Sequence, residues 1–232
     1  MKLSIVMPVL NEADGIEEAL VALGPLRKRG VEVVVADGGS SDATVALARP
    51  LADVVIEVPR GRGAQMNAGA AAARGDVLLF LHVDTRLPGD ADALIRDGFA
   101  GSGCELRRFW GRFDVRIAGA HPLFAIIAAA MNLRSRVTGI ATGDQAIFMS
   151  RAALGPGFAD IALMEDIAMT KRLKRIGRPL CIASTVVTSG RRWEKHGVMK
   201  TILLMWWLRL AYFLGATPAW LARSYGYVPR QS

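Results

Sequence analysis

VEVVVADGGSSDAT, residues 31–44, joins a β-branched apolar run to an aspartate, a Gly-Gly pair and a polar segment of the kind that opens a helix. β-Branched side chains suit a strand buried on both faces, and Gly38 and Gly39 let the backbone turn sharply behind it. Three further runs have the same character: LSIVMPVL from Leu3, DVVIEVP from Asp53 and DVLLFLHVD from Asp76. Helical patterns fall between them, from Glu12 to Leu23, from Asp42 to Ala48 and along GAQMNAGAAAARG, residues 63–75. Strand and helix in alternation predict right-handed crossovers and a mostly parallel sheet flanked by helices, so the fold class is α/β.

In open sheets of this class, ligands bind outside the carboxyl ends of the strands. Those ends are polar here. The first run leads into Asn11-Glu12, the second into Asp37-Gly38-Gly39, the third into PRGRGAQMN and the fourth into His82-Val83-Asp84. Side chains two apart on a strand share a face, so His82 and Asp84 are read as converging on one ligand.

The second half alternates less regularly. RRFWGRFDVRI and DQAIFMSR read as strands, AGAHPLFAIIAAAMNLRS as a helix, and PLCIAS and TVVTSGRRW as two short strands. MEDIAMTKRLKRIGR has acids in its first turn and cations in its last, the order a helix dipole favours. One compact domain is expected, followed from residue 196 by a helical extension, VMKTILLMWWLRLAYFLG. That extension is apolar yet holds Lys200 and Arg209 and is marginal in length for a bilayer. It reads either as an amphipathic helix on a membrane surface or as a helix packed back on the domain with its tryptophans inward.

Residues 171–232 carry 12 Lys/Arg against a single acid, Glu194, while residues 1–170 carry 17 basic and 20 acidic groups. The basic C-terminal quarter fits phosphates, an anionic membrane face or a solvated surface. No nucleic-acid-binding module is recognisable, so no nucleic acid partner is expected. Cys104 and Cys181 have no C-x-x-C spacing, which argues against a zinc site or a disulfide framework and for a reducing, cytoplasmic setting. Pro8 interrupts the opening apolar run, which reads as a strand and not as a signal peptide.

Several groups at the strand tips can carry chemistry. Asp37 can accept a hydrogen bond from a base or ribose and Gly38 admits close approach of a ligand; equally, Ser41 or Asp42 can simply cap the next helix. Arg62, ahead of Arg60, suits an anion at a helix N-terminus, or lies on a solvated loop with Gln65 and Asn67 facing water. Asp84 is a carboxylate suited to Mg²⁺ or Mn²⁺ beside a diphosphate, and His82 suits Mn²⁺ or a supporting role. Neither G-x-G-x-x-G after the first strand nor Gly-Lys-Ser/Thr is present, which disfavours dehydrogenases and P-loop NTPases. His121 has no assigned role.

Taken together, SIVMPVLNE, VVVADGGSSDAT, GRGAQMNAGAAAARGDVLLFLHVDT and MEDIAMTKRLKRIGR resemble the family 2 glycosyltransferases of GT-A (Rossmann-like) fold. More narrowly they are similar to the subgroup called radical-SAM/selenodomain-associated transferase 2. The likeness implies a GT-A domain over residues 1–195, with a nucleotide-sugar half at 1–115 and an acceptor half at 116–195, and an extension at 196–232. It implies that Pro8, Val9, Glu12, Asp37, Gly38, Arg62 and His82 hold the nucleotide and that Asp84 binds the divalent metal, with His196 as a further ligand. Asp166 would be the catalytic base. Glu165, Asp144, Gln145, Arg191, Arg192 and Trp193 would contact the diphosphate or the acceptor. In the family the metal motif is Asp-x-Asp; here His82 stands in place of its first acid.

The implied activity is inverting transfer of a sugar from a nucleotide-sugar donor, UDP-linked by expectation, to a hydroxyl acceptor, lipid-linked acceptors included. The cofactor is Mn²⁺ or Mg²⁺, and the location is cytoplasmic, with peripheral binding to the inner membrane face left open. The alternatives are a nucleotidyltransferase, or a membrane-associated nucleotide-binding protein without transferase activity.

Overall fold

The computed structural model describes residues 1–226, apart from the side chains of Arg192, Lys195 and His196. The first half builds as its apolar runs dictate. Strands β1 (Leu3–Val9), β2 (Glu32–Asp37), β3 (Val54–Glu57) and β4 (Val77–Phe80) pair in parallel in the order β3-β2-β1-β4. Helices α1 (Ala13–Ala22), α2 (Gly24–Lys28), α3 (Thr44–Ala48) and α4 (Arg62–Ala72) form the crossovers. β5 (Thr85–Arg86) and α5 (Ala91–Ser102) follow. Alternate residues of β1 feed two cores: Ile5, Met7 and Val9 join one apolar cluster, and Val6 joins another with Val34, Leu78 and Met66.

The second half adds β6 (Trp110–Ala118), α6 (Leu123–Thr138), β7 (Phe148–Ser150), α7 (Arg151–Leu154), α8 (Glu165–Leu173) and β8 (Leu180–Ser189). Among the described residues one eight-stranded sheet results, in the order β3-β2-β1-β4-β7-β6-β8-β5. β7 runs antiparallel to both β4 and β6, whereas β6 and β8 are parallel. The α/β expectation holds, and four corrections follow from local physics. PLCIAS and TVVTSGRRW are one strand, because the register with β6 shifts at Phe113/Asp114 and leaves Ala183 and Ser184 as a bulge. DQAIFMSR is extended only over Phe148–Ser150, because Gly143–Gln145 form a 3₁₀ turn and Ala146 takes a positive φ of 45°. β3 is a half-buried edge strand, not a strand buried on both faces. β4 stops at Phe80, so His82 and Asp84 sit in a turn closed by Thr85 N–H donating to His82 O at 3.1 Å.

The C-terminal segment folds as α9 (Arg191–His196), α10 (Val198–Phe213) and α11 (Pro218–Ser224). α10 packs back on the domain, but without its tryptophans turned inward. Leu208, Ala211 and Leu221 pack with Ile140, Met164 and Ile167, while Trp206 and Trp207 remain 67% and 56% exposed. Lys171 Nζ adds contacts over the Phe213 and Tyr212 rings at 4.6 and 5.3 Å. Among the described residues no helix is long and apolar enough to cross a membrane.

α4 approaches β1 closely because it carries Gly69, where a Cβ would lie 2.4 Å from Val6 Cγ1. Gly69→Val should therefore force the helix off the sheet and cost about 1–3 kcal/mol. Urea denaturation monitored by circular dichroism checks this, and an unchanged midpoint would refute the close-packing account.

Candidate functional site

The four polar tips meet at one end of the sheet. Asn11, at φ 53°, accepts from Ser41 N–H at 2.8 Å, and Ser40 Oγ accepts from Asn11 N–H at 2.8 Å. Thr44 Oγ1 accepts from Glu12 N–H at 2.8 Å, and Asp42 accepts from Ala13 N–H at 3.1 Å and Thr44 N–H at 3.0 Å. Asp42 thus orders the starts of two helices, as a capping residue does. Glu12 lies among the same charges: burial and the Asp84 carboxylate push its carboxyl up, against the Arg191 and Arg62 guanidinium groups.

Asp37 is buried at the end of β2 and accepts from the N–H groups of Gly39 and Ser40, both at 2.8 Å, and from Ser40 Oγ. Its carboxylate shapes the Gly-Gly turn. Gln65 is buried too, donating to Val9 O at 2.7 Å and Ala36 O at 2.9 Å, and it lies where a Cβ on Gly38 would stand, 2.9 Å from Gln65 Cδ. Asn67 pairs with the Phe158 backbone at 2.9 and 2.7 Å, so neither amide faces water. Pro8 and Val9 end β1 in register with Ala36 and Asp37.

Beside these tips lies a polar cavity of about 180 Å³ lined by Arg62, His82, Asp84, Asp144, Glu165, Asp166 and Arg209, among others. Arg62, at the first turn of α4, reaches Glu165 Oε1 at 3.1 Å, joining the two halves of the chain. Glu165 is buried, and burial pushes its carboxyl up while Arg62 opposes the rise. The carboxylates Glu165 and Asp166 hold the Arg62 guanidinium firmly charged against its own desolvation. Asp166 accepts from Gly143 N–H at 2.9 Å and from Ile167 N–H at 2.7 Å. Met164, which starts α8 at φ 73°, turns both acids inward.

His82 rests on Gly143, where a Cβ would come within 2.4 Å of its Cε1, and its Nδ1 lies 3.8 Å from Asp144 Oδ1. Burial and the Arg62 charge lower its pKa to about 4. At neutral pH His82 is a neutral imidazole that can donate and accept one hydrogen bond each. Burial and the Asp166 charge push the Asp144 carboxyl up. Among the described residues three non-glycine positions have positive φ, Asn11, Ala146 and Met164; Met164 lines this cavity and Ala146 follows its Thr142–Asp144 wall. Such strain clusters where a site over-determines its backbone.

Not every expected residue reaches the cavity. Gln145 is wholly buried and donates to Ser135 Oγ at 3.0 Å and Asn132 Oδ1 at 3.3 Å, so it braces the 3₁₀ turn against α6 and leaves the cavity wall to Asp144. Trp193 lines a neighbouring apolar cavity together with Asp144. Arg191 is exposed and reaches the site through its charge on Glu12. The side chains of Arg192 and His196 lie outside the described residues. His121 is exposed and its Nδ1 accepts from Leu123 N–H at 3.2 Å, a helix-capping role. Met205, Arg209 and Tyr225 also line the polar cavity, brought there by the C-terminal segment. The sequence signal for Arg209 is a cation near the middle of an otherwise apolar helix.

No three or more His, Cys, Asp or Glu among the described residues are disposed to hold a metal ion by themselves. One carboxylate, Asp84, is exposed at the rim of this cavity. That donor set fits Mg²⁺ or Mn²⁺ held jointly by one carboxylate, water and phosphate oxygens, and does not fit an all-protein cage.

Residues 4–95 match the family model Glycosyl transferase family 2. The uncharacterized glycosyltransferase Rv1514c of Mycobacterium tuberculosis is 34% identical over 122 residues, covering 50% of this chain and 46% of the relative. The chain thus spans about half the length of the curated relatives it matches. Among solved structures, Staphylococcus aureus TarS aligns with a TM-score of 0.61 at 21% identity, over 82% of this chain and 37% of TarS. The mannosyltransferase PcManGT of Pyrobaculum calidifontis, in complex with GDP-Man and Mn²⁺, gives 0.59 at 21% identity over 80% and 56%. Glucosyl-3-phosphoglycerate synthase of M. tuberculosis, with Mn²⁺, UDP and glucosyl-3-phosphoglycerate, gives 0.56 at 22% identity over 81% and 70%. The fold is GT-A.

Removing Arg62 would leave Glu165 buried without its ionic partner. Arg62→Ala should cost about 1–3 kcal/mol at pH 7, since a buried acceptor loses its donor. Glu165 would then take up a proton on folding, and a carboxyl raised in the folded state stabilises below its unfolded pKa and loses that stabilisation as pH rises. The deficit should therefore be smaller at pH 4 than at pH 7, and Glu165→Gln in the same background should recover stability at pH 7. Thermal melts of the three proteins at both pH values decide it; a pH-independent deficit would count against the pairing.

Proposed function

We propose that the protein is a family 2 glycosyltransferase that moves a sugar from a nucleoside-diphosphate donor, UDP-linked in the first instance, to a hydroxyl acceptor with inversion. The observation that carries this reading is the meeting of Asp84, from the end of the nucleotide half, with Asp166, at the start of α8, across one small cavity. The match of residues 4–95 to the family model and the GT-A fold support it. The narrower radical-SAM-associated subgroup remains part of the proposal on the residues quoted for it.

The nucleoside would lie over the ends of β1 and β2, where Pro8, Val9, Glu12 and the Asp37-Gly38 turn form the floor. Its diphosphate would extend toward Arg62, with His82 offering a neutral hydrogen bond. Asp84 would hold a divalent cation, which when bound supplies charge neutralisation to the leaving diphosphate. Asp166 would accept the proton of the acceptor hydroxyl as its oxygen bonds to the anomeric carbon and the bond from that carbon to the diphosphate breaks. Gly143 N–H and Ile167 N–H fix the carboxylate at the helix start. Asp144, with its carboxyl pushed up, is placed to hydrogen-bond the acceptor.

Asp166→Asn should lower turnover about 10²- to 10⁴-fold while nucleotide binding persists. Product analysis with nucleotide sugars reads both, because this reaction releases a nucleoside diphosphate and a nucleotidyltransferase releases pyrophosphate. Wild-type turnover in Asp166→Asn would overturn the assignment. Separately, Mn²⁺ should raise the thermal shift produced by UDP, since a ligand bound only by the folded protein stabilises it in proportion to its affinity. Asp84→Asn should erase that Mn²⁺-dependent increment; an increment that persists would place the cation elsewhere.

A further inference from the structure

A second cavity, of about 490 Å³, lies between α6 and α10 and is walled by Leu123, Ile127, Met131, Met199, Ile202 and Trp206 among others. It opens beside an exposed apolar stripe: Ile126, Leu133 and Val137 on α6 and Leu203, Trp207, Leu210 and Phe213 on α10 are each more than half exposed. Exposed apolar patches of this kind mark interaction sites. At its inner end the lining changes to Arg134, Arg209 and Asp144, and Asp144, Met205 and Arg209 are shared with the polar cavity. The two spaces therefore adjoin, with these three residues between them.

The inner end is incomplete in charge and in hydrogen bonds. Arg134 has Nε and Nη2 buried without a hydrogen-bond partner among the described residues. Burial and the neighbouring Arg209 charge lower its pKa to about 10, so it remains a cation at neutral pH. Unpartnered N–H groups on a buried guanidinium require an acceptor, and a planar donor fork matches phosphate oxygens. Two guanidinium groups against one shared carboxylate leave one net positive charge, which favours an anionic headgroup. Cavities of this volume hold small-molecule ligands, and apolar walls ending in two cations are complementary to an amphiphile.

We propose that this cavity binds the hydrocarbon chain of a phosphate-headed amphiphile whose phosphate is held by Arg134 and Arg209. Resting on the glycosyltransferase reading, the ligand is the acceptor, and a hydroxyl beside its phosphate is presented to Asp144 and Asp166. The exposed stripe on α6 and α10 then faces the lipid surface from which the ligand is drawn.

Titration calorimetry on the full chain with decyl phosphate below its micelle concentration, decanol and inorganic phosphate tests the site. Decyl phosphate should bind one per chain, at least tenfold more tightly than decanol and at least a hundredfold more tightly than inorganic phosphate. Affinity should rise from hexyl to decyl phosphate by up to about fourfold for each methylene taken into the cavity. Ala130→Trp should fill the space and abolish binding of both decyl ligands, and Arg134→Gln should bring decyl phosphate to within about threefold of decanol.

A chain-length-independent affinity in the wild type would overturn the proposal even if both variants failed to fold. So would equal affinity for decanol and decyl phosphate, tight binding of inorganic phosphate alone, or a dimer closed through this face that excludes decyl phosphate. UDP binding and nucleotide-sugar turnover are measured on the same samples. Absent turnover with intact, chain-length-dependent decyl phosphate binding would remove the transferase reading while upholding this site.

Discussion

The contact between Arg62 and Glu165 is the constraint on which the site depends. One partner opens a helix of the parallel half, the other opens a helix of the second, mixed half, and they meet at 3.1 Å. An isolated carboxylate would not remain charged in so buried a position, and removing a partner from such a pair is costly. The pair therefore fixes how the halves are docked. It also puts Asp166 one residue from the junction, where Gly143 N–H can hold it against the opposite wall. Asp84 and Asp166 share a cavity only because that junction is closed.

Other loops support the same geometry with local strain. Asn11, Ala146 and Met164 each adopt a conformation that L-residues avoid, and each is tied down nearby: Asn11 by Ser40 and Ser41, Ala146 by the Thr142–Gln145 capping box, Met164 by apolar packing with α10. Backbone strain of this sort persists when surrounding structure over-determines it. The C-terminal helix is part of that support. Leu208 and Ala211 pack under Met164 and Ile167, and the same helix carries Arg209 into the polar cavity.

The parallel half was legible from the residues because a strand covered on both faces must be apolar throughout, and such runs stand out between polar turns. The strand tips were legible for the same reason, since polarity resumes where burial ends. The mixed half was harder. The sequence reads as two strands divided between Ser184 and Thr185, whereas Ala183 and Ser184 are a bulge within one strand that only pairing with β6 reveals. The family resemblance would put Gln145 against the diphosphate or the acceptor, yet its amide is consumed by Asn132 and Ser135. Arg134 and Arg209 come together through helix packing, which no local pattern encodes, although a cation within an apolar helix was the trace left in the sequence.

Charge balance in the polar cavity links the fold to its chemistry. Four carboxylates, Asp84, Asp144, Glu165 and Asp166, face two guanidinium groups, Arg62 and Arg209. The excess is visible in the Asp144 carboxyl, which the Asp166 charge helps to push up. A diphosphate entering that space alone would add to the excess of negative charge, and in a confined site with little water such repulsion is weakly screened. On the proposed reaction the diphosphate would arrive together with a divalent cation, and Asp84, exposed at the rim and next to neutral His82, would be the carboxylate to share it. The replacement of a first acid by His82 fits the same balance, because a fifth carboxylate at that position would deepen the deficit that Arg62 already only partly offsets.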